Sequence, residues 1–387
     1  MMQNITIKKS ELCAMTLFIL IIMETAFENT PLQIYNLMVN RIFLLVEIVI
    51  FILFLAMEKY SKKIFLMLMG ALLFFVVSYF VLNAAILVKM FMVSMVVKRI
   101  GIQRAFEIIF KFKAIMLCII IFMALVGIIP NEYEQIEKGI GSTYGYGLGY
   151  THPNRLASAL CCILLCYIGW KKDQLRWKNI FWIGIVTILG YFITKCRTLL
   201  YCMTLFLIFY ILYKTKFTKK FTNKITSIIG IVSVPLCIAT SVMIPTLLLS
   251  SSGKLQQIVY GINLLFSRRF THVEHMFMTY PVTLFGGLFE TSMMEEMFGY
   301  SVVDNGYIRF LYQYGIIGLA VFGVISVICF SKIMKKKEYI WKVIFIIIAI
   351  EGLLENIYID ISLNLIVIFW SELLSMKKKG KIKNYDS

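Results

Sequence analysis

Long apolar runs follow one another from end to end of this chain, and short clusters of lysine fall in every second gap between them. A run of that length has no water partners for its backbone once it is in hydrocarbon, so it must close its own hydrogen bonds as a helix. Basic clusters between runs stay on one side of a bilayer, so their alternation dictates the path of the chain. The 387 residues are 60% hydrophobic, with 15% aromatic, which is too apolar for one soluble core. The formal charge of +18 would suit a nucleic-acid partner only if it were gathered on one face or tail. It is instead divided among the gaps, and no nucleic acid is expected as a partner.

The pattern predicts an all-α, polytopic membrane protein in one domain covering 1–387. About twelve transmembrane helices are expected, near 11–28, 38–57, 64–81, 83–97, 112–129, 155–170, 179–195, 197–213, 225–249, 306–330, 339–356 and 359–375. The first follows Lys8 and Lys9 without a small-residue cleavage site, so it reads as an anchor. With the N-terminus inside, the inward gaps hold 29 of the 39 Lys and Arg residues, ending in a basic cytoplasmic tail over 376–387. Both termini are therefore expected in the cytoplasm, with two larger extracytoplasmic loops at 130–154 and 250–305. Loops of that length between membrane helices are either functional or disordered.

Chemistry concentrates in those loops. All three histidines, His152, His272 and His275, lie there. Of the ten basic residues outside the inward set, six are arginine, against three arginines among the 29 inward ones. Lysine suffices for topology, whereas the planar guanidinium fits phosphate oxygens in pairs. An outward arginine cluster suggests a phosphate-bearing ligand at the outer leaflet. Lys195 and Arg309, close to span ends, could instead snorkel to the interface. Glu24, Arg41, Glu47, Lys89, Glu351 and Glu355 lie inside spans and imply a polar interior without revealing which partners meet. The nine cysteines sit in or beside apolar runs, so neither a disulfide framework nor a zinc site is implied. His272, Glu274 and His275 are too few ligands for a metal, and none is expected.

Four motifs occur in order: Gly149-Tyr150-Thr151-His152-Pro153-Asn154 opening a span, Cys196-Arg197-Thr198 between two spans, and Ser267-Arg268-Arg269-Phe270 in the long loop. The fourth runs from Asp304-Asn305-Gly306-Tyr307 to Tyr314-Gly315-Ile316-Ile317-Gly318. Together they resemble the bacterial O-antigen polymerase and ligase superfamily, and within it the Wzy-type polymerases of capsular or exopolysaccharide clusters. The resemblance covers nearly the whole chain in span count and loop placement.

It implies a GT-C-like glycosyltransferase of the bacterial cytoplasmic (inner) membrane that polymerises undecaprenyl-pyrophosphate-linked oligosaccharide repeat units at the outer face, with no cofactor. Its implied partners are that lipid-linked oligosaccharide, the bilayer, and a chain-length regulator and flippase of the same pathway. Arg197 matches the arginine of the family's Ser-Arg-type motif, here behind Cys196 rather than Ser. Arg269, or its neighbour Arg268, matches the arginine opening the long-loop helix. These are assigned to the pyrophosphate, with Arg197 also placed among the catalytic residues. In ligases a histidine usually stands where this chain has Asp304, a departure that favours polymerase. Asp304 and then His152 are the candidates for general base.

Tyr146, Tyr150, Asn154, Arg155, Asn305 and Tyr307 are the expected glycan contacts. The Tyr/Gly stretch 144–150 also fits an interfacial loop anchored by tyrosines, and Pro153 and Asn154 also fit a plain helix start that His152 caps. The rival functions are a ligase-type transferase of the same superfamily and a polysaccharide flippase or exporter. No internal repeat of the kind transporters carry is visible.

Overall fold

The computed structural model describes residues 8–374 except 34–36, 59, 83–84, 138–141, 216–217, 288–290, 301 and 337. The expected basic tail at 376–387 therefore lies outside the described residues, as do Lys59, Lys138, Lys216, Glu290 and Lys337. Five helices come first: α1 (Lys9–Glu24), α2 (Leu37–Met57), α3 (Lys62–Leu82), α4 (Ile86–Ile100) and α5 (Ile102–Leu125). Strands β1 (Tyr133–Glu137) and β2 (Ser142–Tyr146) precede α6 (Pro153–Lys171), α7 (Trp177–Thr194), α8 (Arg197–Lys214) and α9 (Lys219–Ser250). Three shorter helices follow, α10 (Gly253–Leu265), α11 (Arg269–Thr279) and α12 (Ser292–Phe298), and then α13 (Gly306–Lys335), α14 (Tyr339–Leu354) and α15 (Ile366–Trp370).

Eight helices, α2, α3, α5 to α9 and α13, are long and apolar enough to cross a membrane. Helices α1, α4 and α14 stand where spans are expected but run only 15 to 16 residues. The twelfth expected span, 359–375, is not a continuous helix. Turns occupy its first third, and α15 then passes into a 3-10 turn over Ser371–Leu374. Asp360 explains the interruption, because its carboxylate accepts the Asn29 amide at 2.8 Å and the Ser362 backbone N–H at 2.9 Å. Those bonds favour a turn over a helix.

Helix α14 is the centre of the bundle. Val343 through Ala349 have no exposed surface, and a helix that is apolar and enclosed on all sides must be packed by neighbours all round. Helices α8, α9 and α13 supply most of that packing. Isoleucine, leucine and phenylalanine on α2, α3 and α5 instead stay exposed along much of their length, as lipid-facing helices do.

The basic clusters meet at one end. Arg104 pairs with Glu11 at 3.0 Å, Arg99 with Glu58 at 3.0 Å, Lys172 with Glu338 at 2.7 Å and Lys336 with Glu372 at 2.6 Å. These contacts tie the starts of α1, α5 and α14 to the ends of α2, α4, α6 and α13 and to the 3-10 turn at Ser371–Leu374. The alternation read from the sequence is thus reproduced as a lysine-rich end and an opposite, loop-bearing end.

Two features of the loop-bearing end depart from expectation. The first loop is no open coil: β1 and β2 pair antiparallel with Tyr133 opposite Tyr146, the one sheet among the described residues of an otherwise helical chain. The second, 250–305, is largely folded into α10 to α12. Helix α13 is also broken. Gly315 has φ +72°, and the ring of Phe310 lies 5.0 Å from that of Phe322. A straight helix would separate positions twelve apart by about 18 Å, so residues 306–314 fold back beside the following half. The freed backbone is satisfied by the loop before α12, with Ile316 and Ile317 donating to Thr283 and Leu284 at 3.1 Å.

Candidate active site

Five chain segments end together at the loop-bearing end. Helices α6, α8, α11 and α13 begin there, and α14 finishes there at Glu355. Each start has a local cause. His152 caps α6, its Nδ1 accepting from the Asn154 backbone N–H at 3.0 Å, with Pro153 in the first turn where no N–H is needed. Asn305 caps α13 by accepting from the N–H groups of Tyr307 and Ile308 at 3.1 Å each. Asn263 shapes the turn into α11: its side chain accepts from Phe270 N–H at 3.1 Å and donates to the Thr271 hydroxyl at 2.7 Å. Helix starts carry partial positive charge, so this meeting point favours anions before any side chain is counted.

Buried charge joins the segments. Arg269, first residue of α11, donates to Glu355 Oε1 at 2.7 Å and lies 3.8 Å from Asp304 Oδ2. The Thr198 hydroxyl donates to the same Glu355 oxygen at 2.7 Å, and the Cys196 thiol approaches it at 3.7 Å. The Asn154 amide reaches Asp304 at 3.5 Å. Burial alone would raise the Asp304 carboxyl. The positive charges of Arg269, Arg155, His152 and His272 outweigh that and hold it below the ordinary aspartate value. Asp304 is thus ionised at neutral pH and remains partly open to its surroundings.

His152 is engaged through both nitrogens. Because Nδ1 accepts the cap bond, the ring proton of the neutral form resides on Nε2, which faces Glu134 at 2.7 Å. Burial works against its charge, but Glu134, with Asp304 and Glu355 behind it, raises the imidazole above the ordinary histidine value. Glu134 is held low chiefly by that hydrogen bond. Of the two base candidates, only Asp304 has acceptor capacity to spare.

Of the residues expected at the site, the structure groups Asp304, Arg269, Asn154, His152 and Arg155. Arg155 and Arg197 are half-buried in the first turns of α6 and α8, and neither forms an ion pair or side-chain hydrogen bond with a described residue. Arg268 does not join them: it is exposed, in a left-handed conformation, before α11. Of that pair, Arg269 is the one at the centre. Asn305 is 1% exposed and bonded to Ser241, and Tyr307 is fully enclosed, its hydroxyl bonded to Ala349 O and Tyr358. Both expected glycan contacts therefore hold the scaffold, their polar atoms being satisfied within the protein. Tyr150 is also buried, at 7% exposure, whereas Tyr146 is open at 42%. Gly149, at φ +91°, lies so near Ile120 and Ile129 that an added Cβ would come within 2.9 Å of each, so this glycine serves the turn.

Sequence reasoning missed Glu355, Glu134, Thr198 and Asn263 as members of the site. Glu355 was visible only as a costly charge inside a span, and its partners lie 86 and 157 positions away. His272 and His275 stack on Tyr300 and Phe298 at 4.3 and 3.8 Å. Their burial lowers both imidazoles. No protein-family model, curated protein or solved structure matches the chain.

Proposed function

We propose that this protein is a membrane glycosyltransferase that joins undecaprenyl-pyrophosphate-linked oligosaccharide repeat units into a capsular, exopolysaccharide or O-antigen chain at the outer face of the bacterial inner membrane. The observation that carries the reading is the meeting of Arg269 and Arg155 with an ionised Asp304 where helix starts converge, with Arg197 in the first turn of α8 next to the Thr198 that joins Glu355. Helices α8 and α14, 18 and 16 residues long, put that meeting point about 24 to 27 Å from the lysine-rich end, close to one bilayer thickness. A lipid-linked pyrophosphate presents its charge at that depth.

In this reading a sugar hydroxyl of one unit attacks the anomeric carbon of another. The new glycosidic C–O bond forms as the bond to pyrophosphate breaks, and its electron pair leaves on the phosphate oxygen. Arg155, Arg197 and Arg269 face the growing negative charge, acting strongly because the surroundings are apolar. Asp304 takes the hydroxyl proton. Glu355 fixes Arg269 and the start of α8, so it orients the cations without touching substrate.

The test is deletion of the chain followed by gel analysis of lipid-linked glycans. Single repeat units gathering on undecaprenyl pyrophosphate at the outer face are expected. Units trapped at the inner face would mean a flippase, and an unchanged polymer ladder would sink the proposal.

A further inference from the structure

We infer that the exposed face of the β1–β2 hairpin is a stacking platform for pyranose rings, holding the glycan beyond the sugar that reacts. The inference takes its ligand class from the function proposed above. Pairing sets Tyr133 opposite Tyr146 and Gln135 opposite Tyr144, and side chains alternate along a strand, so these four share one face. The three tyrosines are 65%, 47% and 42% exposed at positions 133, 144 and 146. Ring centroids of Tyr133 lie 5.8 Å from Tyr144 and 6.5 Å from Tyr146, so the rings form one patch.

The composition of the patch selects the ligand. Tyrosine rings alone would also suit a belt at headgroup level, a role that requires no amide among them. Here the fourth position is Gln135, a donor and acceptor, and none of the four is aliphatic. A pyranose offers an apolar C–H face to an aromatic ring and hydroxyls at its edge to amides and phenols, which is what this face supplies. Its placement selects the role. The opposite face carries Glu134, which holds His152 at 2.7 Å, and His152 caps the helix whose Asn154 reaches Asp304. The hairpin is therefore fastened to the arginine site through its other face, which leaves the tyrosine face free beside that site for the part of the glycan that does not react.

The test uses the full-length protein purified in detergent and oligosaccharides released by partial acid hydrolysis of the host's own surface polysaccharide. Saturation-transfer NMR should carry magnetisation from tyrosine rings to sugar protons. A triple Tyr133→Leu, Tyr144→Leu, Tyr146→Leu variant keeps apolarity and loses rings, and should bind at least about tenfold more weakly. The corresponding triple Phe variant keeps the rings and should bind far better than the Leu variant. Unfolding temperatures of both variants report on folding, and single Leu substitutions replace the triple if it unfolds. No transfer in the wild type, or equal binding by the Leu and wild-type forms, overturns the platform. Transfer to sugar in a protein whose deletion leaves cellular glycans unchanged would keep the platform and remove the polymerase reading.

Discussion

Arg269 Nη2 lies 2.7 Å from Glu355 Oε1, and that same oxygen accepts the Thr198 hydroxyl at 2.7 Å. One carboxylate oxygen thus ties the start of α11, the start of α8 and the end of α14 at a single point. Glu355 is 3% exposed, so the link is made inside the protein, where charges are strongly felt and costly to leave alone.

Removing one member of this pair should hurt folding, and removing both should not. Arg269→Ala leaves Glu355 buried without its cation, for an expected loss of about 3 to 5 kcal/mol. Arg269→Met combined with Glu355→Gln removes both charges and should recover most of that loss. Polymer should be absent in either case, because a guanidinium at the leaving group is gone. Thermal unfolding in detergent and polymer gels on the same variants check the two effects separately. A double variant that restores polymer would remove Arg269 from the reaction.

The His152–Glu134 contact should make docking of the hairpin pH-dependent. His152 is raised, so its contribution is full below the ordinary histidine value near 6.5 and fades as pH climbs through the higher folded value. Glu134 is lowered, so its contribution holds above the ordinary carboxylate value and fades as pH falls through the folded one. The pair is therefore strongest in mildly acidic solution, between the two. Both side chains are about half exposed, which keeps the effect within about 1 kcal/mol. Proteolysis of the hairpin should slow in mildly acidic solution and quicken as pH rises through the folded histidine value, and His152→Gln should flatten that dependence.

The parts of the fold that were legible in the sequence are those governed by local or collective rules. Helix positions followed from apolar runs, and the common basic end followed from Lys and Arg clusters, of which Arg104, Arg99 and Lys172 pair with Glu11, Glu58 and Glu338 at that end. His152 as a cap and Pro153 as a helix start were readable because capping is decided within four residues. The hairpin was not, since tyrosine and glycine fit an interfacial coil as well as strands and only the pairing of Tyr133 with Tyr146 decides. The break in the last expected span depends on Asn29, 331 positions from Asp360. Glu355 belongs to the site through long-range contacts, so its apolar sequence surroundings could not reveal it.

Gly315 is a position where only glycine fits. Its φ of +72° is strained for other residues, and an added Cβ would lie 2.2 Å from Leu284 O and 2.4 Å from Gly286 N. Those neighbours are backbone and cannot swing aside. Gly315→Ala should therefore cost about 1 to 3 kcal/mol and loosen residues 283–287 from α13. Gly70→Ala, in α3, meets nothing within 4 Å and should be neutral or slightly stabilising. Unfolding temperature and hydrogen exchange over 283–287 distinguish the two; equal behaviour would mean the broken helix is not held by that contact.

Arg197 and Arg268 give the sharpest contrast among the arginines singled out by the resemblance. Arg197 is half-buried at the start of α8, beside the Thr198 that holds Glu355, and forms no ion pair or side-chain hydrogen bond with a described residue. A half-buried cation without a protein counter-charge is suited to an anionic ligand. Arg197→Ala should then abolish polymer while the protein still accumulates in the membrane. Arg197→Lys keeps the charge but loses the two-pronged geometry, and should retain only a fraction of the activity. Arg268 is exposed and lies outside the cluster, so Arg268→Ala should leave polymer length and amount within about twofold of wild type, as surface changes usually do. Polymer gels with membrane immunoblots on the three strains check this. Normal polymer from Arg197→Ala, or its loss from Arg268→Ala with the protein present, would move the pyrophosphate away from the start of α8.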